Sequence, residues 1–143
     1  MSDKPEVKDD FADKTIDELM ITDVLTLSPN LTIRQCIELI LKKGVGGAPI
    51  VKENTKKVLS IIGQKDLIQF AAVGGLDKPL MTFIGKLTKF EDLIVASKID
   101  TLKRIIIKFL QNPVRRILVV DEQGNLEGIL TRSQLLKAFI EAK

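Results

Sequence analysis

The chain has 143 residues, 45% of them hydrophobic and 29% charged, enough apolar material for one domain or two small units sharing a core. No histidine and only one cysteine, Cys36, are present, which excludes an internal disulfide, the usual zinc sites, and Ser-His, Cys-His or His-metal catalysis by this chain alone. Residues 1–23 hold eight acids and three lysines, a net of −5, so the remainder must carry +8 to reach the total of +3; its lysines are scattered and Trp and Tyr are absent, which makes nucleic acid an unlikely partner.

Residues 1–12 read as an acidic leader and a candidate partner contact, and Lys14 to Met20 as a short helix capped by Asp13. The start MSDKPEVKDD has no apolar core of a secretion signal, and no run of about 18 apolar residues occurs, so a cytoplasmic location without a membrane partner is expected. Val24 to Leu27 is a strand candidate, and Ser28, Pro29 and Asn30 turn the chain. Thr32 with Gln35 fits a capping box that starts a helix near Ile33, and Gly44, Gly46 and Gly47 stop it. Ala48 to Val51 and Val58 to Ile62 form a hairpin around the polar stretch Lys52 to Lys57. Gly63 leads into a helix with Leu67, Ile68, Ala71 and Ala72 inward, ended by Gly74 and Gly75. The stretch Leu76 to Phe90, with Pro79 and Gly85, reads as a linker. A strand around Leu93 to Ala96 follows, then a helix capped by Asp100 or Thr101 and ended by Asn112 and Pro113. Ile117 to Val120 and Leu126 to Leu130 make a second hairpin with turn chemistry at Gly124 and Asn125. A last helix turns Leu135, Leu136, Phe139 and Ile140 inward.

The second half of this order repeats the first. Ile33, Cys36, Ile37, Ile40 and Leu41 recur 69 places later as Leu102, Ile105, Ile106, Phe109 and Leu110, each set spaced as the buried stripe of an amphipathic helix. Cys36 therefore reads as a buried structural thiol. Leu67, Ile68, Ala71 and Ala72 recur as Leu135, Leu136, Phe139 and Ile140 at a shift of 68, so the change of register falls in the hairpin turn. The expected fold class is α+β: two β-α-β-β-α units, 13–75 and 91–143, joined by linker 76–90 and packed about a pseudo-twofold axis. Each unit alone leaves one sheet face open, so the two should cover each other, with small Ala71 and Ala72 complementing large Phe139 and Ile140. The cleft between them is where a ligand would be sought.

The stretches GVGGAPIVKENTKKVLSIIGQKDLIQF and NPVRRILVVDEQGNLEGILTRSQLLKAF resemble the second parts of two cystathionine beta-synthase (CBS) domains, and SPNLTIRQCIELI and SKIDTLKRIIIKF resemble their first parts. The resemblance runs over about residues 14–142 and leaves no separate enzymatic domain, so no catalysis is expected. It implies a Bateman module: a tandem pair that dimerises, binds adenosine nucleotides or related adenosyl compounds in its clefts, and thereby regulates a partner protein. No cofactor is required; the nucleotide is a regulatory ligand.

The family's ligand motif runs Gly, apolar, any, Thr or Ser, any, any, Asp or Asn across the end of the third strand and the start of the last helix. Its hydroxyl and helix amides suit phosphate, and its carboxylate suits ribose hydroxyls. Here the motif is split: the first unit keeps Asp66 but has Gly63 at the hydroxyl position, and the second keeps Thr131, followed by Ser133, but has Gln134 at the acid position. By the resemblance, Arg115 and Arg116 would reach a bound phosphate beside Thr131, and the base would be lined by the opening segment of the other unit, Ser28 to Thr32. The site around Asp66 has Gly46 and Gly47 in place of the arginines, and Ser97 to Thr101 as its opening segment. Asp66 and Thr131 also suit plain helix capping, and the alternative to a nucleotide sensor is a ligand-free dimerisation or docking scaffold.

Overall fold

The computed structural model of the chain describes residues 6–7 and 15–141. The nine principal elements follow the expected order. Helix α1 (Ile33–Lys43) opens on a capping box in which Thr32 Oγ1 accepts from the Gln35 amide at 3.1 Å and Gln35 Oε1 accepts from the Thr32 amide at 2.8 Å. It closes on Gly44 at φ +71°, the left-handed conformation that glycine adopts without strain. Strands β1 (Gly47–Val51) and β2 (Val58–Gly63) form the first hairpin, and α2 (Gln64–Ala72) follows directly. In the second half come β3 (Val95–Ala96), α3 (Leu102–Gln111), β4 (Arg116–Val120), β5 (Leu126–Thr131) and α4 (Arg132–Glu141). Thr101, not Asp100, caps α3, its hydroxyl accepting from the Arg104 amide.

Duplication extends to irregularities. Both hairpins shift register at matching places, between Ile50 and Val51 and between Val119 and Val120. The hairpin turns differ in length where the register of the repeat changes, as the sequence shift requires. The opening strands are shorter than expected. Val24 to Leu27 contributes only a parallel bridge from Leu27 to Ile50, because the turn at Ser28 to Asn30 begins at once; β3 has two residues, paired parallel to Leu118 and Val119 of β4.

The compact units do not follow repeat boundaries. Val24–Leu93 form one, and the described residues up to Asp23 join Ile94 onward in the other. The stretch read as a linker is part of the first core: Leu80 and Phe83 are buried, with Leu76, Ile84 and Leu87 packed beside them. Phe83 stacks on Phe70 with ring centroids 4.5 Å apart. Leu80 to Lys86 is a 3-10 helix, and Ser60, buried in β2, donates to the Thr88 carbonyl at 2.6 Å. Ile16, Leu19 and Met20 likewise pack into the second core with Ile105, Ile117, Val119 and Leu130. Ile21 pairs antiparallel with Ile129 of β5. Thr15 bridges Thr101 and residues 16–20 form bends and turns there instead of the expected short helix; the proposed cap Asp13, Lys14 and most of the leader lie outside the described residues.

The striped helices bury most of their predicted faces. Ile33, Cys36 and Ile40, and Leu102, Ile105 and Ile106, are buried, but the last position of each stripe, Leu41 and Leu110, is exposed. The closing helices depart further. Helix α2 buries Leu67 and Phe70 while Ile68 and Ala72 face solvent, and α4 buries none of its side chains. The inward face predicted from apolar spacing is therefore outward at Ile68, Leu136 and Ile140. Apolar residues at i, i+3 and i+4 mark a helix face without stating whether the same chain covers it.

Candidate functional site

The junction between β5 and α4 gathers most of the predicted site residues. Arg116 lies opposite Thr131 across the β4–β5 ladder, and the Arg132 amide donates to the Arg115 carbonyl at 3.3 Å, fastening the helix start to the strand before it. Thr131 is half-buried and its Oγ1 accepts from the Gln134 amide at 3.2 Å. This caps α4 and still leaves the hydroxyl proton available to donate. Gln134 is half-buried in the first turn and Ser133 is exposed beside it.

Electrostatics at this junction are one-sided. Arg116 is half-buried, and burial first, then the neighbouring Arg115, lowers its pKa from the usual guanidinium value. Among the described residues neither arginine makes an ion pair. A third cation, Arg132, was missed by the sequence reading. Its Nε donates to the Val114 carbonyl at 3.2 Å, which ties the guanidinium to the backbone next to Arg115. Its position directly after Thr131 was the available signal, but that place in the motif carries no required residue type.

The matching junction in the other unit has the same backbone and different chemistry. The Gln64 amide donates to the Gly46 carbonyl at 3.2 Å, as Arg132 does to Arg115. Asp66 is half-buried and its Oδ2 accepts from the Gly63 amide at 2.9 Å, so the carboxylate caps α2 with one oxygen. Glycines at 46 and 47 offer no cationic arm.

Ser28 and Thr32 stand elsewhere in that unit. Leu27 joins the far end of β1 through bonds to Pro49 and Val51, whereas Asp66 follows the Gly63 end, a separation of roughly 13 Å along five extended residues. Ser28 Oγ accepts from the Asn30 amide, and Thr32 is committed to its capping box. The segment is held firmly, since Leu80 and Met81 amides donate to the Leu31 and Pro29 carbonyls at 2.7 and 2.9 Å. Within each unit, then, the structure unites Arg115, Arg116, Thr131, Ser133 and Gln134, and it separates Asp66 from Ser28 and Thr32. Ser97 to Thr101 carries equivalent local bonds, Ile99 N to Ser97 and Arg104 N to Thr101.

Among the described residues no group of three or more potential metal-ligating side chains converges, and no helix is long and apolar enough to cross a membrane. A hollow of about 430 Å³ does exist, between α1 and α2, but its walls are Ile37, Ile40, Leu41, Gln64, Leu67, Ile68 and Ala71 and include none of the predicted site residues.

Two copies of one α+β unit, each closing on a strand-to-helix junction of the same build, define a tandem repeat. The CBS domain model matches residues 16–73 and again 87–141, and the chain belongs to the CBS domain family as a tandem pair. An uncharacterised protein of Methanocaldococcus jannaschii, MJ1225, is 35% identical over 122 residues, covering 84% of this chain and 41% of that protein. The chain thus spans about two fifths of that relative's length. Among solved structures, Arabidopsis thaliana CBSX2 in complex with AMP superposes with a TM-score of 0.72 at 23% identity, over 90% of this chain and 97% of that one. The CBS domain pair of protein MJ0100, in complex with 5′-methylthioadenosine and S-adenosyl-L-methionine, gives 0.73 at 21% identity, over 91% and 98%. These likenesses establish the fold.

Proposed function

We propose that the chain is a regulatory module that binds an adenosine nucleotide and changes its affinity for a partner protein according to whether the nucleotide is bound. One observation carries the reading: Arg116, half-buried beside Arg115 and without an acidic partner among the described residues, adjoins the Thr131 hydroxyl at the start of α4. Holding two like charges there costs free energy that a bound phosphate would return. Arg115, Arg116 and Thr131 take the phosphates, Gln134 and Ser133 face the ribose, and Ser28 and Thr32 of the other unit line the base. The junction at Asp66 lacks the arginines and takes a nucleoside at most. AMP bound to CBSX2 and adenosyl ligands bound to the MJ0100 pair support the ligand class. The module acts as a cytoplasmic homodimer, needs no cofactor and catalyses nothing. Its mechanism is differential affinity of the ligand for two arrangements of the protein.

A second reading, a ligand-free scaffold, draws on the capping bonds of Thr131 and Asp66, which give both residues a structural use. Thermal unfolding with AMP, ADP, ATP, cyclic di-AMP and S-adenosylmethionine separates the two. A ligand present at 100 times its Kd adds about 2.7 kcal/mol, a rise of about 5–10 °C at this size. Arg116→Ala should then weaken AMP far more than adenosine. No shift with any ligand favours the scaffold, and equal losses for AMP and adenosine remove the phosphate role.

A further inference from the structure

The proposed nucleotide engages Arg115 and Arg116 and leaves Arg132 without a role. Arg132 occupies a motif place that requires no residue type, so its charge is particular to this chain. Two bonds fix it: its amide donates to the Arg115 carbonyl at 3.3 Å and its Nε to the Val114 carbonyl at 3.2 Å, consecutive carbonyls just before β4. The Nε bond orients the planar guanidinium and leaves both terminal nitrogens to donate. The side chain is exposed, and among the described residues no carboxylate pairs with it. These positions order the charges along the junction. Arg116 is half-buried and stands opposite Thr131 in the ladder, whereas the Arg132 guanidinium is tied to Val114, two residues earlier and at most about 7 Å away along the chain.

We infer that Arg132 makes the β5–α4 junction selective for a nucleoside diphosphate or triphosphate over the monophosphate, its terminal nitrogens donating to the β-phosphate. This preference rests on the nucleotide reading above and specifies which nucleotide the junction favours. A phosphate on the Thr131 hydroxyl and Arg116 occupies the inner end of the junction. Only a second phosphoryl group joined to it extends to the outer end, where a guanidinium with both terminal nitrogens free matches two of its oxygens. Three like charges within so short a reach also raise the free energy of the empty junction, and each added phosphoryl group brings more negative charge to offset them. Arg116 and Thr131 serve the α-phosphate common to AMP, ADP and ATP and so set affinity; Arg132 sets the preference among the three.

Calorimetric titration of the full-length chain with AMP, ADP and ATP, in EDTA so that no divalent cation competes for the phosphates, reads the preference directly. ADP should bind about tenfold more tightly than AMP, the equivalent of about 1.4 kcal/mol, with ATP at least as tight as ADP. Arg132→Gln removes the charge from an exposed position while keeping a side-chain N–H donor, and in it the ratio of the AMP Kd to the ADP Kd should fall to near unity. In Arg116→Gln both ligands should weaken together and the ratio should persist. Equal Kd values for AMP and ADP in the parent, a measurement that needs no variant, would overturn the inference while leaving the nucleotide reading intact. A preference for ADP that survives in Arg132→Gln would do the same, since the selectivity would then lie elsewhere. A ratio lost in Arg116→Gln instead would reverse the order of the two phosphates and overturn the role given to Arg132. No binding of any of the three ligands removes both the preference and the nucleotide reading.

Discussion

Replacing Gly128 by alanine tests whether residues 16–21 belong to the second unit. A Cβ at 128 would stand 2.8 Å from Met20 Sδ and 2.9 Å from the Ile21 carbonyl oxygen. The methionine can swing aside. The carbonyl cannot, because it accepts from the Ile129 amide at 2.9 Å while the Ile21 amide donates back to Ile129 at 2.8 Å. The added methyl must therefore part the two segments. Overpacking of this kind costs about 1–3 kcal/mol, and each backbone bond lost adds about 1 kcal/mol, which gives a loss of about 2–4 kcal/mol. At this chain length that lowers Tm by about 5–15 °C. Circular dichroism reads the midpoint, and hydrogen exchange should show the Ile21 and Ile129 amides losing protection before the rest of β5. The matching position in the first unit holds Ser60, whose hydroxyl reaches the Thr88 carbonyl, so Ser60→Ala should cost only about 1–2 kcal/mol. A Gly128→Ala protein within about 0.5 kcal/mol of the parent, with both amides still protected, would show that residues 16–21 do not lie against β5.

Three further outcomes are expected. Phe83→Ala should destabilise the chain by about 3–5 kcal/mol in urea titration, since the ring is buried against Phe70; a cost near zero would restore the linker reading of residues 76–90. Thr32→Ala removes the capping box of α1 and should cost about 1 kcal/mol, with Thr32→Ser recovering most of it. Burial pushes the Cys36 thiol up from 9.0 to about 11. With a folded value above the unfolded one, the stability this thiol contributes is whole below pH 9.0 and falls as pH rises toward 11. Urea midpoints across that window should therefore decline less steeply in Cys36→Ala than in the parent, and a thiol reagent at pH 8 should label Cys36 only after unfolding.

The sequence was most legible where local chemistry decides. The Thr32–Gln35 box, the stop at Gly44 and the matched stripes of α1 and α3 follow from capping and periodicity, and they stand at the positions read except for the exposed stripe ends Leu41 and Leu110. Tertiary partnership was not legible. Pro79 and Gly85 have a linker's composition, yet the intervening Leu80 and Phe83 are buried in the core of their unit, and nothing local distinguishes a tethered apolar residue from a loose one. The same gap explains α2 and α4: their spacing gave apolar faces but could not say that Ile68, Leu136 and Ile140 point away from their own cores. At the candidate site, motif residues were readable one by one, whereas Arg132 became visible only when its Nε was found on the Val114 carbonyl.

The split motif supplies a gain-of-function test, which is harder to mimic by damage than any loss. Gln134 sits in the first turn of α4 with its amide bonded to Thr131, so Gln134→Asp places a carboxylate where the helix already tolerates one, as Asp66 does in α2. A carboxylate accepting from ribose hydroxyls is stronger than an amide by about 1–1.5 kcal/mol, roughly tenfold in Kd. Because the ribose is common to both ligands, the gain should be equal for AMP and adenosine in calorimetry, the reverse of the selective loss expected from Arg116→Ala. In the first unit, Gly63→Thr completes the other half. Gly63 has an extended backbone at φ −113°, and a Cβ there meets only Asp66 Oδ2 at 3.8 Å and the Gly46 carbonyl at 3.9 Å, ordinary contacts. That variant should acquire nucleoside binding while still discriminating little in favour of phosphate, since Gly46 and Gly47 remain. If Gln134→Asp folds normally and leaves the affinity for both ligands unchanged, the ribose does not lie at the start of α4, and the assignment of the β5–α4 junction as the nucleotide site fails with it.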